Sequence, residues 1–259
     1  MTNLTIGSFN TKDNAINRNG GIRNDGTDNA KILAQKIKEK NFDILGTQEL
    51  TIKYTTRLEQ LLPNYKFCGD YRYSNALINM PYNENNQIMT KQNILSTKTI
   101  WLPFIAHNPK DLKTSISKAS IMPRIATIAI TENEDGQKIC TINTHLDYQI
   151  PSVQIRQLKA LSKIIKTYSA QYPIILTGDF NMELKEEHFK EFVQSMEKEN
   201  IQRVEINENT WCPKEENGKT EDHIFIPKNW IVEDCGVIQD EAMRELSDHK
   251  AIYVKAKTR

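Results

Sequence analysis

Pro173-Ile174-Ile175-Leu176-Thr177-Gly178-Asp179-Phe180-Asn181 is a short apolar run that breaks at a glycine and then presents a carboxylate and a carboxamide. Its length and its Pro and Gly boundaries read as a strand over Ile174 to Thr177. Extended backbone places residues two apart on one side, so Asp179 and Asn181 are expected to face the same metal ion, water or phosphate oxygen. Gly-Asp and Asn turns also close strands with no chemistry attached. The rest of the chain decides between these readings.

Working outward, Pro151 opens a helix with Leu158, Leu161 and Ile165 on one face, and a second helix is expected over Leu184 to Glu199. Ile125 to Ile130 and Lys138 to Asn143 flank Asn133-Glu134-Asp135-Gly136 and predict a hairpin. Near the N-terminus, Asn3 to Phe9 alternates as a half-buried strand, and the polar stretch Asn10 to Asn29 reads as a loop that is either mobile or substrate-facing. Asp28 or Asn29 caps a helix bearing Ile32, Leu33 and Ile37, which ends near Asn41. Phe42 to Thr47 is a buried strand, followed by a short helix around Arg57 to Leu62. Short strands are expected at Phe67 to Tyr73, Gln87 to Gln92 and Thr99 to Leu102, then a polar loop from His107 to Ser120. Strands at His223 to Ile226, Ile231 to Val237 and Ala251 to Val254 complete the chain. Helices interleaved with strands and hairpins predict mixed sheets covered by helices.

No linker or repeat divides the 259 residues, so a single domain over 1–259 is expected. Thirty-four basic and 33 acidic residues leave a formal charge of +1, which removes any global field toward nucleic acid or an anionic membrane. The N-terminus lacks a charged-then-apolar signal and no run is long enough to span a bilayer, so a soluble, cytoplasmic protein is expected. Cys68, Cys140, Cys212 and Cys235 have no metal-ligand spacing and read as reduced thiols.

Polar residues sort with the strands. Asn10, Glu49, His145, Asp147, Asp179 and Asn181 follow apolar runs, whereas Asp222, Asp248 and His249 precede them. If the later strands run antiparallel to the earlier ones, all nine reach one rim. Hard oxygen ligands beside imidazoles point to Mg²⁺ or Mn²⁺ rather than zinc.

The segments Ser8-Phe9-Asn10, Thr47-Gln48-Glu49, Asn143-Thr144-His145-Leu146-Asp147, Gly178-Asp179-Phe180-Asn181, Asp222-His223-Ile224-Phe225 and Ser247-Asp248-His249 resemble, in order, the motifs of the endonuclease/exonuclease/phosphatase superfamily. This is the fold of pancreatic-type DNase, abasic-site endonucleases, neutral sphingomyelinases, inositol polyphosphate 5-phosphatases and deadenylases. The Asn/Gly-rich loop, Thr99-Ile100-Trp101-Leu102 and Pro123-Arg124-Ile125-Ala126-Thr127 look most like small bacterial members of unassigned substrate. The resemblance implies an α+β, four-layer α/β/β/α sandwich of two mixed, mainly antiparallel sheets. It implies Glu49 as principal metal ligand, with Asn10 and Asp248 close by. It implies Asp179, helped by Asn181, as the residue that orients or deprotonates water, and His249 on the scissile phosphate or as general base, made more basic by Asp248. His145, paired with Asp222, would serve the phosphate or leaving group, and Arg124 and Asn181 would bind phosphate oxygens. Glu84 matches a residue that supports the first histidine. Glu221 and His223 depart from the arginine and the aromatic residue usual on either side of Asp222.

The expected activity is Mg²⁺-dependent phosphodiester hydrolysis by an Asp-activated water, with a phosphate-ester substrate and nucleic acid among the candidates. The alternatives are a phosphatase or phospholipase-type hydrolase of a small metabolite or lipid headgroup, and an inactive binding module of the same fold. Arg156, Lys159, Lys163 and Lys166 read as a solvated helix face and Lys110, Lys113 and Lys118 as candidate substrate contacts. Trp211 is either core or a stacking surface beside the site.

Overall fold

The computed structural model describes residues 1–73, 83–103, 122–213 and 217–259. Lys110, Lys113, Lys118 and the expected His107 to Ser120 loop lie outside the described residues. Strand β1 (Asn3–Asn10) is followed by a short helix α1 (Ala15–Arg18), helix α2 (Asn29–Lys40) and strand β2 (Ile44–Gln48), which pairs parallel with β1. The Asp28 side chain caps α2 by accepting from Lys31 N, and Asn41 closes it in the left-handed region. Strand β3 (Leu50–Thr51) and helix α3 (Ile52–Leu61) follow, then β4 (Lys66–Cys68), β5 (Glu84–Asn85), β6 (Ile88–Thr90), β7 (Asn93–Trp101), β8 (Ile125–Glu132) and β9 (Lys138–His145). Helix α4 (Pro151–Ser169) leads to β10 (Ile174–Asp179), which pairs parallel with β9. The rest is α5 (Glu187–Lys198), β11 (Ile201–Arg203), β12 (Asp222–Pro227), β13 (Ile231–Val237), α6 (Glu241–Arg244) and β14 (Ile252–Lys257).

One six-stranded sheet has the order β13-β14-β1-β2-β6-β4 and the other β11-β12-β10-β9-β8-β7. Each contains one parallel pair with helical chain between its strands, β1/β2 and β9/β10, and is otherwise antiparallel. Side-chain alternation then builds three apolar layers. Ile6, Ile44, Val254, Ile139, Ile175 and Ile224 meet between the sheets. Leu33, Ile37, Tyr54 and Leu58 of α2 and α3 pack on Phe9, Leu45 and Met89 on one outer face. Leu158, Leu161, Phe189 and Phe192 of α4 and α5 pack on Ile142, Leu176 and Phe225 on the other. The result is the expected α/β/β/α sandwich.

The hairpin at Asn133 forms as expected, with Gly136 N donating to Asn133 O and Gln137 N to Asn133 Oδ1. Arg156, Lys159, Lys163 and Lys166 are exposed along α4. The strand expected over Phe67 to Tyr73 is confined to Lys66–Cys68; Gly69 follows at φ 139°, and Arg72 and Tyr73 beyond it are buried. The helix expected around Arg57 begins earlier, at Ile52, and the supposed loop after Asn10 holds α1. All four cysteines are free. Among the described residues no helix is long and apolar enough to cross a membrane.

Candidate active site

The inward-facing positions of four strands change from apolar to polar or chargeable toward one end of the sandwich. Along β1 they are Ile6, Ser8 and Asn10, and along β10 Ile175, Thr177 and Asp179. On β9 they run Ile139, Thr141, Asn143 and His145, and on β12, entered from the opposite end, Ile226, Ile224 and Asp222. Period-two alternation does this work: once Ile175 faces the other sheet, so does Asp179. The register brings Asp179 opposite His145 on one side and Asp222 on the other. Gly178 permits this packing, since a Cβ there would stand 2.3 Å from Thr144 O.

A buried polar layer underlies the site. Asn143 Nδ2 donates to Thr47 O and Gln87 O, both at 2.8 Å, while its Oδ1 accepts from Gln48 Nε2 (2.7 Å) and Thr177 Oγ1 (3.1 Å). One carboxamide therefore ties the two sheets together directly beneath the rim.

Asp179 is the centre of the rim. Its Oδ2 accepts from Asn10 Nδ2 at 2.9 Å and its Oδ1 from Asn181 N at 2.9 Å. Asn10 Nδ2 also donates to Glu49 Oε1 at 3.0 Å, so Asn10 links the two carboxylates, and Glu49 Oε2 accepts from Asp13 N at 2.6 Å. His145 Nε2 and His249 Nε2 flank Asp179 Oδ2 at 3.6 and 3.7 Å. Burial pushes the Asp179 carboxyl up to about 7, against the opposing pull of His249.

The two histidines are in opposite states. His249 Nδ1 donates to Asp222 Oδ2 at 2.8 Å. Burial by itself would depress this imidazole, but Asp222 and Asp179 outweigh it and push it up to about 10, so His249 is an imidazolium at neutral pH. His145 Nδ1 faces Arg72 Nη2 at 3.2 Å. A guanidinium has no acceptor, so Nδ1 must accept and the ring proton sits on Nε2. Burial, then Arg124 and Arg72, hold His145 well below 6.5, which makes it a neutral donor toward Asp179. Asp222 thus belongs to His249, correcting the expected pairing with His145. The antiparallel entry of β12 places Asp222 beside the turn before β14 rather than at Arg72.

Other expected residues fall as follows. Asp248 is ion-paired with Lys12 Nζ at 2.9 Å, and it raises His249 less than Asp222 and Asp179 do. Asn181 does not continue the strand. Strand β10 ends at Asp179, and Asn181 turns into the left-handed region (φ 52°), its Nδ2 donating to Leu146 O, so the expected shared face with Asp179 is replaced by a backbone turn. Asp147 Oδ1 accepts from Gln149 N and Ile150 N and anchors the start of α4. Glu84 reaches His145 through Arg72, its Oε2 lying 2.9 Å from Arg72 Nη2. Arg124 enters the site just before β8, with Tyr148 stacked 5.9 Å away. Trp211 bridges to His249 and Lys219 and forms a half-exposed wall. His223 points away, into Phe180 and Phe189, and its Nε2 donates to Met182 O, so this departure leaves the rim intact.

Glu49, Arg72, Arg124, His145, Asp179 and His249 are among the residues that line a cleft of about 470 Å³. Glu49 (φ 59°) and Lys12 (φ 60°) join Asn181 in left-handed backbone, which is costly for a Glu or Lys and clusters here at the rim. The family model described as "Endonuclease/Exonuclease/phosphatase family" matches residues 9–249, from the end of β1 to His249. The chain belongs to this family.

Among solved structures, an endonuclease/exonuclease/phosphatase family protein from Bacteroides thetaiotaomicron is 22% identical with a TM-score of 0.79, over 98% of this chain and 97% of that one. The mannosyl-6-phosphatase Bt3783 of Bacteroides thetaiotaomicron VPI-5482 is 22% identical with a TM-score of 0.77, over 98% and 100%. D. rerio TDP2, complexed with single strand DNA product, is 18% identical with a TM-score of 0.75, over all of both chains. At these identities the likeness establishes the endonuclease/exonuclease/phosphatase fold. No curated protein matches the sequence.

The sequence reading missed Arg72, Lys12 and Asp13. Lys12 and Asp13 sit in the loop expected to face substrate, immediately after Asn10, and were detectable there. Arg72, between Tyr71 and Tyr73, carried no periodic signal.

Proposed function

We propose that this chain is a divalent-cation-dependent phosphoester hydrolase in which water, oriented by Asp179, attacks phosphorus in line. The observation that carries the reading is Asp179 itself: a fully buried carboxylate, bonded through Asn10 to Glu49 and flanked by a protonated and a neutral histidine at the floor of an open cleft. A carboxylate raised to about 7 is poised to take a proton near neutral pH.

The donor set fits a hard divalent cation. Glu49, Asp179 and Asp248 line the cleft, and ligand atoms of Asp179, Asp222 and His249 lie within 4.8 Å of one another. Asp222 and His249 Nδ1 are committed to each other and buried, whereas the Glu49 side chain is 23% exposed at the cleft, so Glu49 is the better principal ligand, with Asp248, 25% exposed, and Asn10 as further candidates. Oxygen donors of this kind suit Mg²⁺ or Mn²⁺. Such an ion would neutralise charge on the phosphoryl group and leaving oxygen.

The chain's residues supply the rest. Asp179 accepts the proton of the attacking water as the P–O(ester) bond breaks, and the departing oxygen takes a proton from solvent water to leave as an alcohol, Asp179 returning its own to solvent. His249, as an imidazolium, and His145, through Nε2–H, donate to phosphoryl oxygens, while Arg124 holds a non-reacting oxygen. His249 already carries its proton, which favours its role on the phosphate over general base. The products are an alcohol and a phosphate, with no covalent enzyme intermediate. Asp179→Asn, Glu49→Gln and His249→Ala are each expected to lower Mg²⁺-dependent hydrolysis of p-nitrophenyl phosphate and bis-p-nitrophenyl phosphate by about 10² or more while leaving circular dichroism unchanged. Full turnover in all three variants would refute the proposal.

A further inference from the structure

We infer that Arg72 and Arg124 form a paired-guanidinium clamp that selects a terminal phosphomonoester over a phosphodiester. The inference rests on the hydrolase reading above and names the substrate class of that site.

Both arginines line the cleft, yet their residues are only 3% and 4% exposed. Three of their N–H-bearing atoms, Arg72 Nε and Arg124 Nε and Nη1, are buried with no hydrogen-bond partner. A buried donor left unpaired costs about 1–3 kcal/mol, and a guanidinium does not lose its proton, so a wall holding three such donors is built for an absent acceptor. Among the described residues, Glu84, Asp147 and Glu49 act on Arg124 through space, without a hydrogen bond to its Nε or Nη1. Arg72 Nη2 is divided between His145 Nδ1 and Glu84 Oε2, and the Glu84 contact, although 2.9 Å long, is not aligned as a hydrogen bond. Glu84 is also the weaker counter-ion of the two walls, because burial pushes its carboxyl up to about 8 against the pull of Arg72. The carboxylates of Asp222 and Asp248 are paired with His249 and Lys12 instead.

The chemistry that satisfies this wall is anionic, planar-fork compatible and rich in terminal oxygens. A phosphodiester offers two terminal oxygens and one negative charge. A phosphomonoester offers three oxygens and, near neutral pH, close to two charges. With one terminal oxygen committed to the histidine and metal side, a monoester still presents two to the arginine pair, whereas a diester presents one and turns an uncharged alkoxy group toward a buried guanidinium. Arg72 also fixes the tautomer of His145, so the clamp and the neutral donor are set by the same side chain.

The test compares a dianion with a monoester-lacking anion in the same protein. Metal-stripped protein is titrated calorimetrically with inorganic phosphate and with dimethyl phosphate, and kcat/KM is measured with Mg²⁺ on p-nitrophenyl phosphate and bis-p-nitrophenyl phosphate. Wild type is expected to bind phosphate at least tenfold more tightly than dimethyl phosphate and to favour the monoester. Arg72→Lys and Arg124→Lys, which keep the charge and lose the fork, should each lower the monoester-to-diester ratio at least tenfold and weaken phosphate binding. A wild type that prefers the diester and dimethyl phosphate overturns the inference without any variant, as does a ratio unmoved in both variants. Turnover of neither ester would overturn the hydrolase reading, and the phosphate titration would then decide the clamp by itself.

Discussion

Asp222→Asn isolates the interaction that sets the charge of the site. In the folded chain His249 is held near 10 rather than at the usual 6.5, a preference for the imidazolium of about 5 kcal/mol. Burial opposes it. Among the raising groups Asp222 is the strongest and lies in hydrogen-bond contact at 2.8 Å, whereas Asp179 stands 3.7 Å away. Assigning Asp222 somewhat more than half gives about 3 kcal/mol for the loss of its charge, with His249 falling to about 8 or below. The sign follows from linkage. A folded pKa raised above the unfolded one contributes stability that is complete below pH 6.5 and lost as the pH rises through 10. The variant should therefore be destabilised by about 3 kcal/mol at pH 6, by progressively less above pH 7, and by little at pH 10. Urea unfolding across this range, together with ¹H–¹³C NMR titration of the His249 ring in metal-free protein, measures both quantities. A wild-type His249 titrating near 6.5, or a variant destabilised equally at pH 6 and pH 10, would refute the reasoning.

The inter-sheet layer makes its own demands. Asn143→Ala removes four buried hydrogen bonds and leaves Gln48 Nε2 with Ser8 Oγ at 3.2 Å, so a loss of about 3–5 kcal/mol in denaturant unfolding is expected, and a loss under 1 kcal/mol would remove its bridging role. At Gly46 an added Cβ would lie 2.1 Å from Thr177 Oγ1 and 2.7 Å from Asn143 Oδ1, so Gly46→Ala should cost at least about 2 kcal/mol, part of it regained in Gly46→Ala/Thr177→Ala. Metal binding should be proton-linked. With Asp179 near 7 in metal-free protein, a divalent cation beside Glu49 favours its ionised form, so Mn²⁺ or Mg²⁺ affinity should rise with pH up to about 7 and level off above about 8. Calorimetry in buffers of different ionisation heat reads the released proton, and pH-independent affinity with no proton release would contradict it.

The strands carrying the site were legible because alternation and the Gly-Asp-Phe-Asn and Ser-Asp-His stops are local. Ile174 to Thr177, the Asn133 hairpin and the helix from Pro151 each announce themselves within a dozen residues. Arg72 was not legible, since a single arginine between two tyrosines has no period and its burial depends on Glu84, His145 and Trp101, which are remote in sequence. The helix-like pattern around Arg57 was shifted because the first turn has no side-chain cap to announce it, and Tyr54 owes its place to packing across the outer face.

By itself, the sequence determined which residues stand at the ends of which strands, and hence that Asn10, Glu49, His145, Asp179, Asp222 and His249 share one rim once two sheets pack face to face. Only the tertiary structure decided who pairs with whom: Asp222 with His249, Arg72 with His145, Asn10 between Glu49 and Asp179. Side-chain direction follows from backbone period and is written locally. A partner, a tautomer or a shifted carboxyl is a sum over groups brought together by strand register, which is fixed only when the two sheets close on each other.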